Sequence, residues 1–151
     1  MEIERKFKVK QRPENLEQYP VSRIQQAYLC REPVVRVRQM NEEFWLTCKG
    51  KGLLSREEYE LPLDEAAYYH LLAKSDGGRI TKDRYHIPLG EHTVELDVFL
   101  GPLKPLVLAE VEFETEAEAL AFEPPAWFGE EVTCDPAYCN VNLSARGSRH
   151  D

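Results

Sequence analysis

Residues 2–6 read Glu-Ile-Glu-Arg-Lys, a run whose charges recur at every second position. Side chains alternate faces along a strand, so Glu2, Glu4 and Lys6 share one side while Ile3, Arg5 and Phe7 share the other. The spacing returns at Arg36 and Arg38, Glu58 and Glu60, Lys82 and Arg84, Glu95 and Asp97, and Glu110, Glu112 and Glu114. The residues between these charges are mostly apolar, which marks the opposite face as core. If the sheet closes with its charged faces inward, it encloses a polar tunnel. Carboxylates at this spacing suit a hard divalent cation, and clustered Lys and Arg suit a polyanion. Together they describe a site for a metal-bound polyphosphate.

The acidic candidates are Glu2 and Glu4 on one strand and Glu110 and Glu112 on another, as ligands for Mg²⁺ or Mn²⁺. Glu95 and Asp97 are candidates for a second metal or for holding the basic residues in place, and Glu58 and Glu60 for a supporting role. The cationic cradle consists of Lys6, Arg36, Arg38, Lys49, Lys82 and Arg84, with arginine offering forked donors and lysine point charges. Arg5, Arg31 and Arg56 are read instead as edge protection. The bland alternative is a solvated ladder of ion pairs. With 27 acidic residues in the chain, a single E-x-E would favour that alternative. Repetition over several strands with both signs favours a functional interior, because so many inward charges would not be tolerated in a packed core.

These side chains must be positioned by strands, and the chain supplies them. Strands are expected over 2–9, 23–30, 34–40, 43–49 and 55–62, with the turn Asn41-Glu42 between the third and fourth. Asp64 caps a helix with Ala67, Tyr68, Leu71 and Leu72 on its apolar side, and Gly77-Gly78 stops it. Strands resume at 79–87, 92–99 and 106–114. Eight strands with hairpin-length connections suit a closed antiparallel barrel, a mainly β fold with a few flanking helices. EAEALAF after Thr115 reads as a short helix ended by Pro124-Pro125. The tail with Trp127, Phe128 and Tyr138 is expected to pack on an open end of the barrel, and the polar run after Ala145 to fray.

At 151 residues the chain is one domain, 1–151, and its net charge of −8 argues against nucleic acid as the main partner. No apolar run spans a membrane and no secretion signal opens the chain, so a cytoplasmic location is expected. Cys30, Cys48, Cys134 and Cys139 lack the companion ligands of a zinc site and read as reduced thiols. His70, His86, His92 and His150 are scattered, and no Ser-His or Cys-His pair suggests itself. An exposed barrel side could pair with a second copy, and no motif decides between monomer and homodimer.

The ordered set EIERKF, VRVR, WLTCKG, EYELPL, TKDRY, VELDVF and AEVEFE resembles that of the triphosphate tunnel metalloenzymes, also called the CYTH superfamily. The resemblance runs from Glu2 to about Leu143. It implies an eight-stranded antiparallel tunnel that binds a triphosphate through basic residues and hydrolyses or cyclises it with a divalent metal. It also implies that Glu110 and Glu112 supply metal ligands together with Glu2 and Glu4.

Short bacterial members beginning EIERKF are similar to inorganic triphosphatases, and their Q-x-Y-L strand is matched by Gln26 to Leu29. The resemblance then pairs Tyr28 with Lys6 as catalytic residues that orient or deprotonate the attacking water, provided the lysine pKa is lowered. The expected activity is metal-dependent hydrolysis of the small molecule inorganic triphosphate to diphosphate and phosphate. The alternatives are an adenylate cyclase, a nucleoside or thiamine triphosphatase, and a non-catalytic polyphosphate-binding module. The last could dispense with the carboxylates, which this chain keeps.

Overall fold

The computed structural model describes residues 1–52 and 54–148. Ten strands form one antiparallel sheet: β1 (Glu2–Val9), β2 (Val21–Cys30), β3 (Val34–Met40), β4 (Glu43–Lys49), β5 (Ser55–Arg56), β6 (Glu58–Leu63), β7 (Asp76–Leu89), β8 (His92–Phe99), β9 (Val107–Glu112) and β10 (Phe128–Glu131). Nine run in the order β10-β1-β9-β8-β7-β2-β3-β4-β6, with the two-residue β5 off that path against β1. Tight turns set the hairpin registers. Asn41, at φ 54°, joins β3 to β4, and Gly90, at φ 61°, joins β7 to β8; both adopt the left-handed backbone that Asn and Gly tolerate best.

The sheet is strongly curled but open, not the closed eight-stranded barrel expected from the strand count. β1 explains why. Beyond β9, its second edge is taken by β10 over Phe7–Val9, so only its first residues remain free. They meet β5 in two residue pairs, Glu2 with Arg56 and Ile3 with Ser55, while β6 pairs with β4. The segment 55–63 crosses from one border of the sheet to the other: β6 ladders along its whole length with β4, while only the two residues of β5 reach β1.

Three α-helices lie among the described residues. Asp64 caps α1 (Glu65–Leu72) by accepting a 2.7 Å hydrogen bond from the Ala67 N–H, and Thr115 caps α2 (Glu116–Ala121) through Glu118 at 3.1 Å. α1 ends at Leu72, and Gly77-Gly78, expected to stop it, lie inside β7. α3 spans Asn140–Ser148, so the run after Ala145 stays helical where fraying was expected; His150 lies outside the described residues.

Alternation gives each face its own packing. The convex face buries Ile3, Phe7, Leu96 and Val111 under Phe122 and Phe128, and Ala27 and Val37 under Tyr68 and Leu72 of α1. A third cluster, with Tyr28, Ile80, Phe99, Leu108, Val132 and Leu143, packs α3 against β7. The remaining concave surface is where the charges gather. None of the described helices is long and apolar enough to cross a membrane.

Candidate active site

A cavity of about 420 Å³ is lined by Glu2, Glu4, Lys6, Tyr28, Arg36, Arg38, Lys49, Glu58, Glu60, Arg84, Glu95, Glu110 and Glu112. All come from alternating positions, so the period of two seen in the sequence becomes one polar surface when the sheet curls. Lys82 and Asp97 also belong to that pattern but are fully buried behind it, paired at 2.7 Å. Lys82 therefore does not reach the cavity as a phosphate ligand would. Asp97 is held by Lys82 at 2.7 Å and by a two-bond fork from Arg84 at 2.8 and 2.9 Å.

The cavity has an acidic region and a basic one. Glu4 stands directly opposite Glu112 across β1 and β9, and carboxylate oxygens of Glu2, Glu4 and Glu112 lie within 4.8 Å of one another. Burial, reinforced by Glu110 and Glu2, pushes the Glu4 carboxyl up to about 8. Burial with Glu95 and Glu2 pushes Glu112 up to about 7. For Glu2, burial is outweighed by Lys49 at 2.8 Å and Arg56 at 3.3 Å, which hold it below its ordinary value. Three clustered oxygen donors, two of which resist ionisation, fit a hard divalent cation, which would offset the charge of Glu4 and Glu112. Glu110 falls outside this trio. Burial is overcome there by Lys6 at 3.4 Å and Arg84 at 3.9 Å, which hold it well below the carboxylate range.

Arg36 and Arg38 form the basic region and lack a carboxylate partner among the described residues. Both are buried, at 4% and 8% exposure. Arg36 Nη2 donates to Thr47 Oγ1 at 3.1 Å, and its Nε has no partner among the described residues. Burial, followed by the charges of Arg36 and Arg84, pushes the Arg38 guanidinium down to about 9. Buried cations without a carboxylate partner are costly, and an anion in the cavity would offset that cost.

The expected pairing of Lys6 with Tyr28 takes a different form. β9, β8 and β7 separate β1 from β2 along the sheet, so only the curl brings both side chains to one cavity. Lys6 Nζ donates to the Tyr138 carbonyl at 2.9 Å. Burial would lower its pKa, but Glu110 and Glu4 outweigh burial and raise it, contrary to the condition for a proton acceptor. Lys6 is a fixed cation here. The Tyr28 hydroxyl is instead engaged by Gln26.

Two cavity residues were set aside on sequence grounds: Arg56, which bonds Glu2, and Arg31 near α3. For Arg56 the signal was present, since Arg56, Glu58 and Glu60 share one alternation. Asn140 and Val141 of α3 also line the cavity, brought there by packing that no local pattern announces. Arg5 does face away and pairs with Glu131 at 2.7 Å. The four cysteines are free.

A curled antiparallel sheet that gathers acidic and basic clusters into one concave cavity defines the class of protein. The CYTH domain family matches residues 1–135, and the chain belongs to that family. It is 45% identical over 148 residues to a protein of Nitrosomonas europaea named inorganic triphosphatase, covering 95% of this chain and 96% of the relative. A protein of the same name from Acetivibrio thermocellus is 42% identical over 114 residues, or 72% and 70% of the two chains. A solved crystal structure of an inorganic triphosphatase superposes with a TM-score of 0.70 at 40% identity, covering 96% of this chain and 95% of that one. A Pyrococcus horikoshii protein at 20% identity, TM-score 0.58, covering 76% of this chain and 79% of its own, shares the fold.

Proposed function

We propose that this protein hydrolyses inorganic triphosphate to diphosphate and phosphate with Mg²⁺ or Mn²⁺ bound by Glu2, Glu4 and Glu112. One observation carries the reading: buried Arg36 and Arg38, without carboxylate partners among the described residues, face the same cavity as that carboxylate trio. The relatives named inorganic triphosphatase support the choice of substrate.

Bound metal supplies Lewis-acid charge at the phosphate oxygens and a water that ionises more readily. The chain does the rest. Arg36 and Arg38 hold phosphate oxygens through forked donors, while Lys6, Lys49 and Arg84 add charge that offsets the negative charge of the leaving diphosphate. Asp97 and Lys82 fix Arg84 from behind, and Glu110 fixes Lys6. The Tyr28 hydroxyl is a neutral donor in the cavity and orients either the attacking water or the phosphate it attacks. Lys6, kept charged, stabilises rather than accepts a proton.

The test is phosphate release from tripolyphosphate, ATP and thiamine triphosphate, each with Mg²⁺ or Mn²⁺ and with chelator. Preferential turnover of tripolyphosphate that chelator abolishes is the expected result. Preference for ATP, with or without a cyclic product, would replace this substrate assignment, and binding without turnover would indicate a binding module.

A further inference from the structure

Gln26 is fully buried and does not line the cavity, yet it touches two residues that do. Arg38 Nε donates to Gln26 Oε1 at 2.8 Å, and Gln26 Nε2 donates to the Tyr28 hydroxyl at 3.0 Å. The orientation of the amide follows from chemistry. Arginine can only donate, so the oxygen of Gln26 must face Arg38 and its NH₂ must face Tyr28. Register explains the contact: Gln26 lies opposite Arg38 and Tyr28 opposite Arg36 across β2 and β3, all on one face.

We infer that Gln26 is a positioning residue that sets the cavity-facing donors of Arg38 and Tyr28 at the same time. This extends the triphosphatase reading and rests on it for the choice of substrate. On one side, the bond to Nε fixes the guanidinium plane and leaves both terminal nitrogens for a phosphate. On the other, an amide N–H already occupies a lone pair of the phenol. The phenolic proton has no acceptor on Gln26 and turns toward the cavity. One amide thus orders a binding group and a reacting group before substrate arrives, which removes reorganisation from the bound state.

Two substitutions separate the halves. Gln26→Glu keeps an oxygen for Arg38 but places an acceptor beside Tyr28, so the phenolic proton turns inward and leaves the cavity. Gln26→Met keeps the length and loses both bonds. For Gln26→Glu the expected result is a kcat on tripolyphosphate lower by about tenfold, as for Tyr28→Phe, with KM changed little. The Gln26→Glu/Tyr28→Phe double variant should be no slower than Tyr28→Phe alone. Gln26→Met should also weaken tripolyphosphate binding, measured by calorimetry in Ca²⁺, and this loss should vanish in an Arg38→Ala background.

Wild-type kcat in Gln26→Glu overturns the inference, as does a loss that multiplies in full with that of Tyr28→Phe. A Gln26→Met binding loss that persists without Arg38 overturns the Arg38 half. If Gln26→Met does not fold, the glutamate cycle still decides the Tyr28 half, and the smaller Gln26→Ala, which also lacks the oxygen that Arg38 bonds, decides the other by its binding with and without Arg38. If wild type turns over ATP and not tripolyphosphate, the substrate assignment fails, and the same cycles run on ATP test Gln26 separately.

Discussion

Glu4 on β1 and Glu112 on β9 face each other directly across the ladder, and with Glu2 their carboxylate oxygens fall within 4.8 Å of one another. Burial together with Glu110 and Glu2 opposes the ionisation of Glu4, which costs the metal-free fold stability above the usual carboxylate range and would favour a bound cation.

Glu4→Gln should therefore abolish turnover yet stabilise the metal-free protein. The Glu4 carboxyl is pushed up to about 8 by burial and by Glu110 and Glu2, so below its ordinary value near 4.5 it is neutral whether folded or not and costs nothing. As pH rises from there to about 8, the unfolded chain gains by ionising and the folded one does not, so wild-type stability falls. The advantage of the variant should appear above pH 5 or so and level off above about 8, at roughly 2 kcal/mol, less than the full shift implies because Glu4 is partly exposed. Thermal melts in chelator across this range test it, and added Mg²⁺ or Mn²⁺ should stabilise wild type more than the variant. Equal melting temperatures of wild type and variant at pH 9 would count against the strain.

Glu2→Gln should behave oppositely. Glu2 bonds Lys49 at 2.8 Å and Arg56 at 3.3 Å, where β4 and β5 approach β1 across the open border of the sheet. Neutralising it leaves two buried or half-buried cations underpaired and should cost about 2 kcal/mol, roughly a 5 °C drop in Tm, besides abolishing turnover. A metal-free melting temperature at or above wild type would show that these bonds do not hold the border.

Arg38→Ala should weaken tripolyphosphate binding at least tenfold, since it removes a forked donor that has no carboxylate partner among the described residues. Lys82→Met should act mainly on stability. Lys82 is wholly buried against Asp97 and Phe99, and burial, partly offset by Asp97, already lowers its pKa to about 7. Calorimetry and melts on both variants test the contrast. A large binding loss in Lys82→Met without destabilisation would place that ammonium in the cradle after all.

Tyr28→Phe should lower kcat by about tenfold with little change in KM or metal affinity, the signature expected of the proposed role of the phenol in the transition state. Lys6→Gln should impair binding as well as turnover, since Lys6 is held as a cation by Glu110 and Glu4. Full activity in Tyr28→Phe would leave water activation to the metal-bound carboxylates alone.

The sequence determined which side chains share a face, because alternation is a local property of any strand. Glu2, Glu4, Arg36, Arg38, Lys49, Glu110 and Glu112 were all legible in this way, and all reach the cavity. So were most strands, the cap at Asp64 and the family. Tertiary structure decided what depends on partners distant in the chain. β10, four residues around a glycine, carries little strand signal of its own, yet by pairing with β1 it keeps the sheet open. Depth is also a tertiary quantity: Lys82 and Arg84 obey the same alternation, but only Arg84 reaches the cavity, because curvature and the packing of Phe99 and Asp97 bury the other. The carboxylate trio on β1 and β9 and the arginines on β3 likewise come to one space only once the sheet between them has curled, whereas the Gln26–Tyr28 bond lies within one strand and Lys6 meets Glu110 across one neighbouring pair.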